Sequence, residues 1–276
     1  MKISKALFLS VMVLLVANLG FTQSSAISPF DTTIYGRNEK VGRVVNTRGF
    51  NMYYETYGTG KPLLMIHGNG GSMNNFLYQI PCFSKSYTVI LADSRAQGRS
   101  VDPGDSLSYE MMADDLNALL DSLHLDSCYV IGWSDGGING LLLAIRHPEK
   151  VKKLAITGAN LWPDSTAVGA NLFTEAMKYY NSLTKMAQTP KVKNDRKLAY
   201  IISFEPHISI GQLNKIRCPS LVIGGDHDVI LPRHTMFIAE SIPGSFLWIL
   251  PDSGHDTLIS YKDIFNQVVS GFFSKP

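Results

Sequence analysis

Three short segments of this chain carry the side chains that a covalent, serine-based chemistry requires. Gly132-Trp133-Ser134-Asp135-Gly136 follows the apolar run Tyr129-Val130-Ile131 and precedes the apolar, helix-like segment from Ile138 to Arg146. A G-x-S-x-G pattern in that setting places the serine on a sharp strand-to-helix turn, and the two glycines leave room for a strained backbone. A serine hydroxyl at its ordinary pKa is a poor nucleophile. It needs a histidine to take its proton and an acid to hold that histidine in the right tautomer. Both types lie downstream in the order acid, then histidine: Leu221-Val222-Ile223-Gly224-Gly225 runs into Asp226, His227 and Asp228, and Pro251-Asp252-Ser253-Gly254 runs into His255.

The oxyanion that forms when such a serine attacks a carbonyl must be met by backbone N–H donors. The amide of Asp135, immediately after the nucleophile, is one. The second is expected from the loop His67-Gly68-Asn69-Gly70-Gly71, at Asn69. His67 reads as a structural histidine that fixes this loop. Trp133 and Asp135 flank the serine and are candidate substrate contacts. Two roles are open to the Asp135 carboxylate: meeting a cationic substrate group, or stabilising the positive end of its own helix by about 0.3–1 kcal/mol.

These residues need a scaffold that brings strand ends together. Arg43 to Asn46 and Asn51 to Tyr57 alternate in a period of two across Thr47-Arg48-Gly49, the pattern of a β-hairpin. Continuous apolar runs follow at Pro62 to Ile66, Tyr87 to Ala92, Cys128 to Ile131, Leu154 to Thr157, Ser220 to Ile223 and Ser245 to Leu250. Strands buried on both faces read this way. Between them Tyr109 to Leu123 carries Met112, Leu116, Leu119, Leu120 and Leu123 on one helical stripe. Alternating strand and helix predicts an α/β fold with a mostly parallel, doubly wound sheet. The alternation stops over about 162–217, where helix-like segments occur without strand runs, and a short helical cap is expected there. The Asn171 to Tyr180 segment puts Leu172, Phe173, Ala176, Met177 and Tyr180 on one face.

The composition describes a compact chain, with 45% hydrophobic and 17% charged residues, and 276 residues suffice for one domain. Its net charge of +2 comes without a basic stripe, which argues against nucleic acid as a partner. Lys2 and Lys5 precede an apolar run from Ala6 to Ala17, and Ser24-Ser25-Ala26 follows with small residues. Residues 1–26 are therefore expected to be a signal peptide, giving export with no stable membrane anchor and a mature domain over 27–276. The apolar run is shorter than the roughly 20 residues a bilayer span needs. Cys82, Cys128 and Cys218 are odd in number and read as small buried thiols. No metal-ligand spacing occurs, no cofactor is expected, and a monomer is the expected state. The polar Asp93 to Ser100 stretch reads as structural loop hydrogen bonding, and Glu205-Pro206-His207 as the return from the cap.

Taken together these motifs resemble the α/β-hydrolase family over nearly the whole mature length. His67-Gly68-Asn69-Gly70 is similar to its oxyanion loop, Asp93 to Ser100 to its D-x-R-x-x-G-x-S segment, and Gly132 to Gly136 to its nucleophile elbow. Gly225 to Asp228 is similar to its G-x-x-D acid turn, and Gly254-His255 to its closing histidine. Gly132 to Ile138, Cys218 to Ile223 and Gly225 to Pro232 resemble most the biphenyl hydrolase-like, valacyclovir-hydrolase-type serine esterases. That resemblance implies Asp228 rather than Asp226 as the acid of a Ser134–Asp228–His255 triad. It also implies hydrolysis of small-molecule carboxylic esters without a cofactor. Amide, lactone and carbon–carbon bond hydrolysis, cofactor-free haloperoxidation, and a ligand-sensing protein without turnover are the other expectations compatible with the same residues.

Overall fold

In the computed structural model the described residues are 34–275. The expected leader, residues 1–26, lies outside them. Eight strands form one sheet in the order β1-β2-β4-β3-β5-β6-β7-β8. They are β1 (Arg43–Thr47), β2 (Phe50–Tyr57), β3 (Lys61–Ile66), β4 (Tyr87–Ala92), β5 (Cys128–Trp133), β6 (Val151–Thr157), β7 (Ser220–Gly225) and β8 (Phe246–Leu250). β1 and β2 form the expected antiparallel hairpin, with Thr47 opposite Phe50. Both residues of its two-residue loop, Arg48 and Gly49, have positive φ, the geometry whose twist matches that of the strands it joins. β2 also runs antiparallel to β4, and every pairing from β4 to β8 is parallel.

The helices are α1 (Ile80–Phe83), α2 (Tyr109–Ser122), α3 (Asp135–Arg146), α4 (Ala170–Thr184), α5 (Pro190–Phe204), α6 (Ile210–Leu213), α7 (Pro232–Ser241), α8 (Thr257–Ser260) and α9 (Lys262–Ser274). The period of two in each buried strand divides the core between the two faces of the sheet. Leu64, Ile66, Val130 and Ile156 join α2, α3 and α7 on one side. Leu63, Met65, Ile131 and Ile223 join α1 and α9 on the other. The apolar runs are continuous because both faces are covered, which is the α/β, doubly wound architecture expected.

Residues 162–217 hold α4, α5 and α6. α4 keeps its expected apolar face half-buried, and α5 seats on the body through the buried Ile201 side chain and through polar groups. The Lys197 ammonium donates to the Asp102 carboxylate at 2.6 Å and to the Gly104 carbonyl at 2.6 Å, and Asn194 donates to the Ala96 carbonyl at 2.8 Å. Cys82, Cys128 and Cys218 are free thiols, and burial pushes the Cys128 thiol up to about 12. Among the described residues no helix is long and apolar enough to cross a membrane.

The polar Asp93–Ser100 loop is structural, as expected, and much of it is buried. Arg95 makes a two-pronged contact with Asp115, both bonds 2.7 Å, reaches Asp102 at 3.1 Å, and stacks over the Phe50 ring. Asp115 also accepts from Arg48 of the hairpin loop. Asp115→Ala should therefore strand a buried guanidinium and lower unfolding free energy by about 3–5 kcal/mol. Urea denaturation checks this, and a loss under about 1 kcal/mol would mean that Arg95 is re-paired by Asp102 alone.

Candidate active site

The nucleophile candidate stands where β5 turns into α3. Ser134 has φ 56° and ψ −121°, a conformation that side chains ordinarily avoid at a cost of about 1–3 kcal/mol. The glycines two before and two after it sit in close backbone contacts. A Cβ at Gly136 would run into the carbonyl oxygen of Ile66, and one at Gly132 into that of Gly136, so both positions need glycine. The Ser134 amide donates to the Thr157 carbonyl at 2.9 Å and fastens the turn to β6.

The histidine and the acid arrive from the ends of β8 and β7. His255 Nε2 lies 2.9 Å from Ser134 Oγ, and His255 Nδ1 lies 2.7 Å from Asp228 Oδ1. The Asp228 carboxylate is buried and its Oδ1 also accepts from the Ile230 amide at 2.9 Å. With the Nδ1 proton directed to Asp228, the Nε2 lone pair faces the serine hydroxyl. Burial pushes the His255 pKa down, but the charge and hydrogen bond of Asp228, with smaller contributions from Asp256 and Asp135, outweigh it and leave the pKa raised.

Asp226 has a different place. It is bound to its neighbour His227 at 2.7 Å and accepts from the Ser253 amide at 3.1 Å, so it braces the loop that carries His255 without touching the imidazole. Trp133 braces the same loop, its indole N–H donating to the His255 carbonyl at 2.8 Å. Beneath the imidazole lies Gly158, with positive φ, where a Cβ would come within 2.7 Å of His255 Cε1. A glycine directly after a core strand is the sequence signal of such a close approach.

The loop after β3 runs past the nucleophile. A Cβ on Gly68 would lie 3.2 Å from Ser134 Cβ, so Asn69 sits one residue from that contact. His67 fixes the loop as expected. The Ser94 amide can only donate, and at 2.9 Å it makes His67 Nε2 the acceptor, which leaves Nδ1–H to donate to the Gly68 carbonyl at 2.8 Å. Burial keeps its pKa low, in accord with a neutral ring. The Asn69 side chain donates to Asp135 Oδ2 at 2.8 Å, and the Tyr109 hydroxyl donates to Asp135 Oδ1 at 2.8 Å. Burial raises the Asp135 carboxyl to about 6, against those two bonds and the charge of His255, which lower it. Both candidate substrate contacts flanking Ser134 thus make internal contacts here. Tyr109 was legible only as the first residue of a helix.

Residues 61–195 match a family described as alpha/beta hydrolase fold. The chain is 26% identical over 273 residues to Serine hydrolase BPHL of Mus musculus, covering 91% of this chain and 90% of that protein. It is 28% identical over 276 residues to the 2-hydroxymuconate semialdehyde hydrolase of Pseudomonas sp. (strain CF600), covering 86% of this chain and 95% of that protein. Among solved structures, MGS-M2, an alpha/beta hydrolase enzyme from a Medee basin deep-sea metagenome library, shares the fold with a TM-score of 0.75 at 19% identity, covering 85% of this chain and 98% of that one. The sheet order, the match over residues 61–195 and relatives covered across most of their length give this chain the α/β-hydrolase fold.

Proposed function

We propose that the protein is a serine hydrolase that cleaves carboxylic esters of small molecules through an acyl-Ser134 intermediate. The observation that carries this reading is the unbroken chain of contacts from Ser134 Oγ to His255 Nε2 and from His255 Nδ1 to Asp228 Oδ1. His255 accepts the hydroxyl proton as Oγ attacks the ester carbonyl, and Asp228 holds the tautomer and stabilises the imidazolium. The amides of Asn69 and Asp135 receive the oxyanion. His255 then protonates the departing alcohol. A water molecule, deprotonated by the same nitrogen, attacks the acyl carbon and frees Ser134. No step calls for a metal or a cofactor. The relative named as a serine hydrolase supports the covalent serine step. The relative named for a semialdehyde substrate supports keeping carbon–carbon bond hydrolysis in the substrate panel.

Ser134→Ala should lower turnover of a chromogenic ester by at least about a thousandfold with little change in thermal unfolding, and His255→Ala should do nearly the same. More than a tenth of wild-type activity in either variant would remove the assignment. The pH profile carries a sign. Only neutral His255 can take the serine proton, and its pKa is raised, so kcat/KM should fall on the acid side through a midpoint above the ordinary imidazole value of about 6.5. Asp228→Asn removes the chief raising influence, so it should cut the rate at least about a thousandfold and move any residual acid limb downward. Asp226→Asn should change the rate by less than about fivefold, because that carboxylate sits in an exposed pair away from the ring. Equal losses in the two variants would reassign the acid.

Export belongs to the same proposal. Lys2, Lys5 and the apolar run to Ala17 support a cleaved leader. N-terminal sequencing of protein recovered outside the cytoplasm should begin near Ile27, and an intact Met1 would refute it.

A further inference from the structure

The side chains around Asp135 are arranged for something other than closing the end of a helix. Asp135 is 6% exposed and Tyr109 is 1% exposed. The two carboxylate oxygens point to different elements: Oδ1 takes the Tyr109 hydroxyl from the start of α2, and Oδ2 takes the Asn69 side-chain amide from the loop after β3. An ammonium group on a substrate would have to compete with both donors for the carboxylate. The loop that Asn69 belongs to is pinned elsewhere as well. His67 is held by Ser94, and the Gly70 amide donates to Gln97 Oε1 at 2.7 Å. Between these two anchors Asn69 is flanked by Gly68 and Gly70, the latter with φ 64°, in a turn that the Gly71 amide closes on the Gly68 carbonyl at 3.1 Å. Within that turn the bond to Asp135 is the short contact of the Asn69 side chain, with a longer second one, 3.4 Å to the Leu198 carbonyl of α5.

Resting on the serine-hydrolase reading above, we infer that Asp135 is a positioning residue for the oxyanion loop. Its carboxylate, held in place by Tyr109, fixes the Asn69 side chain and thereby aims the Asn69 backbone amide at the oxygen that becomes negative. Two side-chain torsions separate that amide from the pinned Nδ2, so the pin limits its swing. A displacement of about 1 Å in such a group costs on the order of a hundredfold in rate. The negative charge of Asp135 also favours the protonated form of His255.

The test compares Asn69→Ala, Asp135→Ala, Tyr109→Phe and the double variant Asn69→Ala with Asp135→Ala. It reads kcat and KM on an uncharged chromogenic ester, together with affinity for a trifluoromethyl ketone, which forms an anionic adduct on Ser134. Asn69→Ala and Asp135→Ala should each lower kcat by about tenfold to a hundredfold while KM stays within about threefold. Ketone affinity should fall by the same factor as kcat/KM, since both report stabilisation of the oxyanion. The double variant should be no worse than the weaker single one, because both changes break one contact. Tyr109→Phe keeps the ring packing and should move the same quantities the same way by about threefold to tenfold. If Asp135→Ala fails to fold, Asn69→Ala and Tyr109→Phe carry the comparison. The inference is overturned if kcat losses leave ketone affinity untouched, if the losses add in the double variant, or if they appear only with esters bearing an ammonium group. A wild-type protein whose Ser134 is not labelled by a fluorophosphonate overturns the serine-hydrolase reading itself. Labelled wild type with unaltered variants overturns only the role given to Asp135.

Discussion

The site depends on one close approach, that of the Gly136 backbone to the carbonyl of Ile66. It brings the first turn of α3 against the end of β3 and leaves Ser134 in its positive-φ conformation between strand and helix. The strain of about 1–3 kcal/mol that such a residue stores is tolerable because both flanking elements are locked into a sheet buried on two faces. Because β3 ends beside the turn, the loop that follows it has to pass the serine, which is why Gly68 touches Ser134. Because β6 lies on the other side, its last carbonyl receives the Ser134 amide, and the next residue, Gly158, forms the floor under His255. Loop, nucleophile and imidazole floor therefore follow from the order of three adjacent parallel strands.

Much of this was legible in the sequence, since each signal was local. The turn at Thr47-Arg48-Gly49, the two glycines around Ser134, and the continuous apolar runs each declare themselves within a few residues. The choice between Asp226 and Asp228 is not local. Both stand at the end of one strand, and it is the resemblance of Gly225 to Asp228 to the G-x-x-D acid turn that implies Asp228. The structure separates the two, since Asp226 accepts from the Ser253 amide while Asp228 Oδ1 meets His255 Nδ1. Tyr109 has no such motif around it. Its hydroxyl finds a partner 26 residues away, and nothing in an amphipathic helix pattern distinguishes a tyrosine that fills core volume from one that also donates a hydrogen bond.

The cap was legible as a break in the alternation, while its seating was not. Lys197 is 7% exposed and meets Asp102, which also meets Arg95, which is paired in turn with Asp115. Buried ion pairs of this kind add little net stability, since the desolvation of each charge offsets most of the attraction. What they provide is a defined position. The loop from Asp93 to Ser100 that carries Arg95 also carries the amide that fixes His67 and the Gln97 side chain that holds Gly70. The cap helix and the loop beside the nucleophile thus share a support, and the seating of one constrains the other.

Asp135 shows what that arrangement costs. Its folded pKa of about 6 lies above the unfolded carboxylate value of about 3.9, so the folded state binds the proton more tightly. Its contribution to stability therefore falls as pH rises from about 4 to about 6, and the full penalty is present at neutrality. A protein selected for stability alone would place an apolar residue there. At neutral pH the carboxylate is ionised instead, its bonds from Asn69 and Tyr109 are charge-assisted, and its charge favours a proton on His255, just as that proton favours the ionised carboxylate. Under the proposed chemistry the imidazolium exists only after Ser134 has given up its proton. The unfavourable burial of Asp135 in the resting protein is therefore eased by the proton that His255 carries at that step.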